Sequence, residues 1–194
     1  MVKHKPILQT FRRDKMLFFL VLLACFLSSV SFLSGCKKAE ETKTFRITHF
    51  YGEDEDIQEY IDRIERAGTC ESISLEDTAI VVEVTESQRQ EWMKNAQQTI
   101  ENTLLCIDGT LGYTIVCENP YTKMEISASS EVNLGSMTGN ITLIYYNAEV
   151  YQYFSGADDW DVHTVVINSD TGKTIVDCAY PHEPLHIEGG MWEQ

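Results

Sequence analysis

The chain has 194 residues, and its 30 Asp and Glu against 15 Lys and Arg give a formal charge of −15 at pH 7. A surface this acidic repels phosphate backbones, which argues against nucleic acid as a partner. The length suits one domain with a hydrophobic core and is short for two.

The N-terminal segment has the pattern of an export signal. Five Lys or Arg residues lie within the first 15 residues, and an uncharged run follows from Leu17 to Leu33. The run ends in Leu33-Ser34-Gly35-Cys36, which resembles the lipobox of bacterial lipoproteins. The resemblance implies that residues 1–35 are a signal peptide and that Cys36 receives the lipid. An uncleaved transmembrane anchor is the alternative, because 17 such residues are just enough to span a bilayer.

The resemblance also implies a location and a domain organisation. The lipid would hold the protein on the extracytoplasmic side of a cell membrane, either periplasmic or at the cell surface. The removed segment holds five basic residues and one acidic residue, so the remaining chain has a formal charge of −19. We expect the lipidated cysteine and a flexible tether over residues 36–44, a single domain over residues 45–180, and an irregular tail over residues 181–194.

The first half of the predicted domain alternates strands and helices. Phe45–Tyr51 alternates in polarity and predicts a strand, and residues 54–67 have helical periodicity that Gly68 ends. Residues 78–84 are rich in β-branched side chains and predict another strand. A capping box of Thr85 and Gln88 then begins a long helix with one apolar stripe: Trp92, Ala96, Ile100, Leu104 and Ile107.

The second half is rich in Tyr, Thr, Val and Ile and is broken by turn residues. We predict about five strands in residues 113–118, 123–130 and 140–154 and in a hairpin over residues 162–180, which turns at Ser169–Gly172. The predicted fold class is therefore α+β, with an antiparallel sheet of about five to seven strands and two helices packed on one face.

Four cysteines remain after the predicted lipidation site: Cys70, Cys106, Cys117 and Cys178. Outside the cytoplasm, this even number permits two disulfides in three connectivities, and buried free thiols are the alternative. No two of them form a CxxC pair, so neither a redox site nor a zinc ribbon is indicated.

Residues 182–186, HEPLH, match the H-E-x-x-H pattern of zinc metalloproteases. In that pattern a helix directs both histidines at one metal ion, whereas Pro184 disfavours a helix by about 3 kcal/mol. No third histidine follows, so we predict that this is not a protease site. A weaker divalent-ion site remains the alternative, and its candidate ligands are His182, Glu183, His186 and Glu188.

Two further groups of residues are candidates for binding. The acidic turn Asp158–Asp161 lacks the glycine and the distant glutamate of a calcium-binding loop, so we predict a solvated turn with a partly buried Trp160. Four tyrosines are predicted to lie on strands, either as cross-strand packing or as an exposed surface for an envelope protein: Tyr145, Tyr146, Tyr151 and Tyr153.

The sequence contains neither a G-x-S-x-G elbow nor a Gly-rich phosphate loop, and no cofactor is predicted. The predicted function is a non-enzymatic, lipid-anchored binding or accessory module of the cell envelope. One alternative is an extracytoplasmic metal-binding protein or zinc hydrolase that uses HEPLH. The other is a module that inhibits or assists an envelope enzyme through its tyrosines.

Overall fold

The structure is a computed structural model, and it describes residues 40–48, 56–107 and 111–193. Within these residues the elements follow in this order: β1 (Thr42–Ile47), α1 (Ile57–Ala67), β2 (Ser72–Glu76), β3 (Ala79–Thr85), α2 (Glu86–Cys106), β4 (Tyr113–Glu118), β5 (Lys123–Ala128), α3 (Leu134–Ser155), β6 (Val162–Asn168), β7 (Thr174–Tyr180) and a 3₁₀ helix (Gly189–Glu193). Residues Glu41–Gln194 belong to one compact unit.

The strands form two sheets. The first has the order β1-β3-β2 and is antiparallel, and the second has the order β4-β5-β6-β7, in which β5 and β6 are parallel. The parallel pair arises because α3 carries the chain from the end of β5 back to the start of β6. The α+β class is confirmed, but the prediction of one antiparallel sheet with two helices is wrong.

The largest difference from the sequence-based prediction is α3, because residues 140–154 were expected to form strands. Asn133 begins the helix by accepting the Ser136 N–H at 3.0 Å, and Gly156 ends it in the left-handed conformation with φ 105°. The helix buries residues on all sides, including Met137, Ile144 and Phe154. A helix that is buried on all sides lacks the amphipathic period by which surface helices are recognised.

Elements with local signals lie where the sequence placed them. α1 ends at Gly68, whose φ is 66°, and both hydrogen bonds of the capping box at Thr85 and Gln88 are present. The apolar stripe of α2 is buried, except that Leu104 is only partly so. The hairpin of β6 and β7 turns through Gly172 at φ 72°. Residues 49–55, which include parts of the first predicted strand and helix, lie outside the described residues.

The short strand β2 was not predicted. Its sequence, SISLE, buries only Ile73, and its other four residues are exposed. An edge strand with so little buried apolar surface has only a weak signal in the sequence. Its position is determined by pairing with β3.

Two apolar clusters form the core, and both long helices contribute to each. The cluster on the four-stranded sheet contains Ile100 of α2 and Ile144 of α3. The cluster on the three-stranded sheet contains Trp92 of α2 and Phe154 of α3, whose rings stack at 5.1 Å. α3 therefore lies between the two sheets as a shared core element. Within the described residues, no helix combines the length and apolarity needed to cross a membrane.

The C-terminal segment is irregular over residues 181–188 but packs against the core. Trp192 is buried, and its Nε1–H donates to the Ala128 carbonyl at 3.1 Å. Asn168 Nδ2 donates to the Trp192 carbonyl at 3.3 Å. Trp160, predicted to be partly buried, is fully buried and lies edge-on to Tyr180 at 5.8 Å.

Candidate binding groove

The structure brings together two of the four candidate metal ligands, His186 and Glu188, and pairs the other two with different residues. His182 Nε2 lies 3.5 Å from Asp159 Oδ2, and His186 Nε2 lies 3.0 Å from Glu188 Oε1. Glu183 accepts the Ala179 N–H at 3.0 Å. The segment is not helical, and the part of the chain that the structure describes contains no group of three or more acidic, histidine or cysteine side chains arranged to hold a metal ion.

The four cysteines beyond Cys36 are free thiols, and Cys36 itself lies outside the described residues. Burial, together with Glu118, raises the pKa of the Cys117 thiol to about 12. Burial also raises the pKa of the Cys70 and Cys178 thiols, with nearby carboxylates adding to the shift. These three thiols are protonated at neutral pH, which makes them poor nucleophiles.

The strand registers separate two of these cysteines. Cys117 on β4 pairs with Met124, which is followed by Thr164 and then by Cys178 on β7. Three strand spacings amount to about 14 Å, well beyond the roughly 7 Å that a disulfide permits. A disulfide between Cys117 and Cys178 is therefore incompatible with this sheet.

The four candidate tyrosines lie on α3, so the prediction that they lie on strands is wrong. Tyr145 stacks on Tyr180 at 4.2 Å, and its hydroxyl lies 2.6 Å from Thr164 Oγ1. Tyr146 turns to the other side of the helix, where its hydroxyl lies 2.5 Å from that of Tyr60. The side chains therefore pack in different directions and do not form one exposed surface.

A groove of about 540 Å³ lies between α1, α2 and α3. Its described lining comes from all three helices and the loop after α1: Tyr60, Arg63, Ile64, Ala67, Thr69, Trp92, Asn95, Ala96, Thr99, Leu143, Tyr146, Asn147 and Val150. Short side chains at Ala67, Ala96 and Thr99 leave space where longer ones would fill the contact between the helices. We call this space the three-helix groove.

Two polar groups in the three-helix groove have unused hydrogen-bonding capacity. The Thr69 carbonyl accepts the Trp92 indole N–H at 2.9 Å, but Thr69 Oγ1 is shielded from solvent and has no partner among the described residues. Asn147 is buried and donates one hydrogen bond, to the Leu143 carbonyl at 2.8 Å. A buried hydroxyl without a partner costs about 1 to 3 kcal/mol.

An aromatic pair and one cation form another part of the wall. The guanidinium of Arg63 lies 5.0 Å from the centre of the Tyr60 ring, in the range of a cation–π contact. Burial and the neighbouring Tyr60 raise the pKa of the Tyr146 hydroxyl well above its ordinary value, and Arg63 acts against that rise. The Tyr146 hydroxyl is therefore protonated at neutral pH.

Apart from Tyr146, these groove residues were not predicted from the sequence to form a site. The groove exists only because three segments far apart in the chain meet, and one of them was predicted as strands. One signal of a groove is present in the sequence, because α2 has two short side chains, Ala96 and Thr99, close to Trp92. These residues alone do not predict a groove, because the sequence does not show that α3 lies opposite them.

Comparison of the chain with protein families, with curated proteins and with solved structures found no match. No relative therefore supplies a ligand or a reaction for the three-helix groove.

Proposed function

We propose that this chain is a lipid-anchored, non-enzymatic binding module of the cell envelope whose ligand lies in the three-helix groove. The groove is the observation that carries the proposal. Its volume of about 540 Å³ falls within the roughly 300 to 1,000 Å³ of small-molecule sites, and its walls combine apolar side chains with a few polar groups.

Binding rather than catalysis is supported by the chemistry of the groove walls. The described lining residues include no carboxylate, imidazole or thiol. General acid–base and nucleophilic catalysis most often use such groups as a pair within hydrogen-bond reach of each other. The tyrosine hydroxyls, amides and threonines that are present are suited to hold and orient a ligand.

The anchor is supported by Leu33-Ser34-Gly35-Cys36 and is tested by replacing Cys36 with Ser. The variant should leave the membrane fraction or retain residues 1–35, because serine has no thiol to take the lipid. Fractionation and intact mass of both proteins provide the measurement. An unmodified Cys36 with residues 1–35 still attached in the unaltered protein would contradict this part of the proposal.

The groove is tested with a neutral, largely apolar probe, para-biphenylacetamide. Its affinity for the full-length chain in lipid nanodiscs is measured by calorimetry. Empty nanodiscs provide the reference. Leu143, at the groove, is 42% exposed, so Leu143→Trp should block the probe without disturbing the core. Leu105 is 80% exposed and lies outside the lining, so Leu105→Trp is the matched control. Absence of binding, or equal binding by both variants, would overturn the proposal.

A further inference from the structure

We infer that the three-helix groove selects an uncharged ligand, one with an apolar body and a hydrogen-bond donor, an N–H or an O–H, which Asn147 Oδ1 accepts. This inference rests on the proposed function, and it specifies the ligand class of the same groove. Primary amides and alcohols are the simplest ligands of this class.

The side chain of Asn147 is the first argument. It is 7% exposed and lines the groove from α3. Its Nδ2 donates to the Leu143 carbonyl at 2.8 Å, and because a carbonyl can only accept, this bond fixes the orientation of the amide group. Among the described residues, none donates to the Oδ1 that remains. Asn147 therefore offers an acceptor that a donor on the ligand can use.

The second argument is that charges of opposite sign act on the same groove wall. The Arg63 guanidinium lies 5.0 Å from the centre of the Tyr60 ring, and Glu149 of α3 is fully buried. Burial raises the pKa of the Tyr146 hydroxyl in this wall, Glu149 adds to that rise, and Arg63 opposes it. Because both signs of charge act there, the wall favours neither an anionic nor a cationic ligand.

The third argument is the apolar floor of the groove. Trp92, Ala96 and Val150 are buried there, which favours a ring or a short hydrocarbon body in the ligand. A charged head group beside this floor would lose much of its hydration, which is costly. A neutral N–H or O–H loses less, and it regains a hydrogen bond at Asn147 Oδ1.

The test uses four para-substituted biphenyls that share one body. Biphenylacetamide has a neutral head group with N–H donors. Biphenylacetone has a methyl group of nearly the same size in place of the NH2, so it keeps the carbonyl and has no donor. Biphenylacetate and biphenylethylamine are the anionic and cationic counterparts at neutral pH. Affinities are measured by calorimetry on the full-length chain in lipid nanodiscs, with empty nanodiscs as reference.

We expect the amide to bind about tenfold more tightly than the ketone, because the ketone leaves Asn147 Oδ1 without a donor and one hydrogen bond changes affinity by about this factor. A site that forms a hydrogen bond with its ligand discriminates strongly against an analogue that lacks the bonding group. The acetate and the amine should both bind more weakly than the amide, since each has to bury a charge.

Variants of α3 assign the preference to Asn147. Asn147→Leu has nearly the same size and no acceptor, so it should bind the amide and the ketone about equally, with no loss of ketone affinity. Asn147→Ala removes the acceptor without requiring space for a branched side chain and should behave in the same way. Asn102→Leu is the matched control, because Asn102 is exposed on α2 and lies outside the lining. Far-ultraviolet circular dichroism confirms that each variant is folded.

The outcomes separate this inference from the proposed function. If no probe binds, both fail. If the ketone binds as tightly as the amide, if either charged probe binds most tightly, or if either Asn147 variant keeps the preference for the amide, the ligand class is wrong and the groove remains a binding site. Loss of the preference in Asn102→Leu as well would overturn the role of Asn147. The ratio of amide to ketone affinity in the unaltered protein tests the inference even where a variant does not fold.

Discussion

The two long helices have nearly the same length and opposite kinds of sequence. α2 has 21 residues, with one apolar stripe and a polar remainder that faces solvent. α3 has 22 residues, buries side chains on all sides, and has one charged residue, Glu149. Two of the helices that line the three-helix groove thus differ in kind, since α2 is a surface helix and α3 is a core helix.

Because of this difference, the residues that stabilise the fold can be distinguished from the residues that line the groove. α3 contributes to both apolar clusters, so the two sheets depend on it together. Leu143 and Asn147 of the same helix line the groove, where space is left between the helices. Neighbouring positions on α3 should therefore respond very differently to substitution, whereas exposed positions of α2 should tolerate it.

The largest effect is expected for Ile144→Ala. Ile144 is fully buried between α3 and the four-stranded sheet, so its truncation should lower the free energy of unfolding by about 3 kcal/mol, within the roughly 2 to 5 found for such cavities. Leu143→Ala is the matched control, because Leu143 is 42% exposed and should cost less than about 1 kcal/mol. Urea titration measures both, and similar losses would show that α3 is not buried as described.

A second, smaller effect is expected at Glu149. Its side chain is fully buried, and Oε1 accepts the N–H and the hydroxyl of Thr48 at 2.6 and 2.8 Å. Glu149→Ala removes the acceptor and should cost about 2 kcal/mol, because both hydrogen bonds from Thr48 are lost. Glu149→Gln keeps an acceptor oxygen and should cost about half as much. Equal losses in urea titration would mean that the negative charge, rather than the hydrogen bonds, stabilises this contact.

The sequence predicts elements whose signals are local. The capping box at Thr85, the stop at Gly68 and the turn at Gly172 each depend on residues within one turn of the chain. The stripe of α2 could be assigned because one side of that helix meets water and produces a period. These elements keep their predicted identity because tertiary packing agrees with their local preferences.

The identity of α3 depends on burial from two sides, which local preferences do not contain. Its β-branched and aromatic residues favour strands, and packing between two sheets overrides that preference. Its length offered a signal, because 15 residues without glycine or proline exceed an ordinary strand. Asn133 and Gly156 also mark helix ends. Neither the length of α3 nor its end residues predict the three-helix groove, because the residues that line it come from three separate segments of the chain.

The start of α2 should show a smaller stability effect than the core of α3. Thr85 Oγ1 accepts the Gln88 N–H at 3.3 Å, and the Gln88 side chain accepts the Thr85 N–H at 2.9 Å. Thr85→Ala removes one of these two bonds and should cost about 1 kcal/mol, whereas Thr85→Ser keeps the hydroxyl and should cost less. Urea titration of both variants measures the difference. A loss from Ser equal to that from Ala would show that the methyl group of Thr85, not its hydroxyl, stabilises the helix start.

The smallest effect is expected at Glu86, the first residue of α2, and it depends on pH. Hydrogen bonds from Arg89 and Gln90 lower the pKa of the Glu86 carboxyl from 4.5 to about 2. The folded state therefore favours the ionised form, so the stabilisation is complete above the unfolded pKa of about 4.5 and is lost as pH falls through about 2. The carboxylate is exposed, which keeps the effect small because solvent screens it.

The difference in unfolding free energy between the unaltered protein and Glu86→Gln should therefore shrink steadily as pH falls from 4.5 towards 2. Urea titrations of both proteins across this range measure it, and general effects of acid on the other carboxylates cancel in the difference. Arg89 also donates to the Phe154 carbonyl at the end of α3, so the pair joins the start of the surface helix to the end of the core helix. In an Arg89→Gln background the Glu86 substitution should have little further effect. A difference that stays constant across the pH range would show that the Glu86 charge does not stabilise the start of α2.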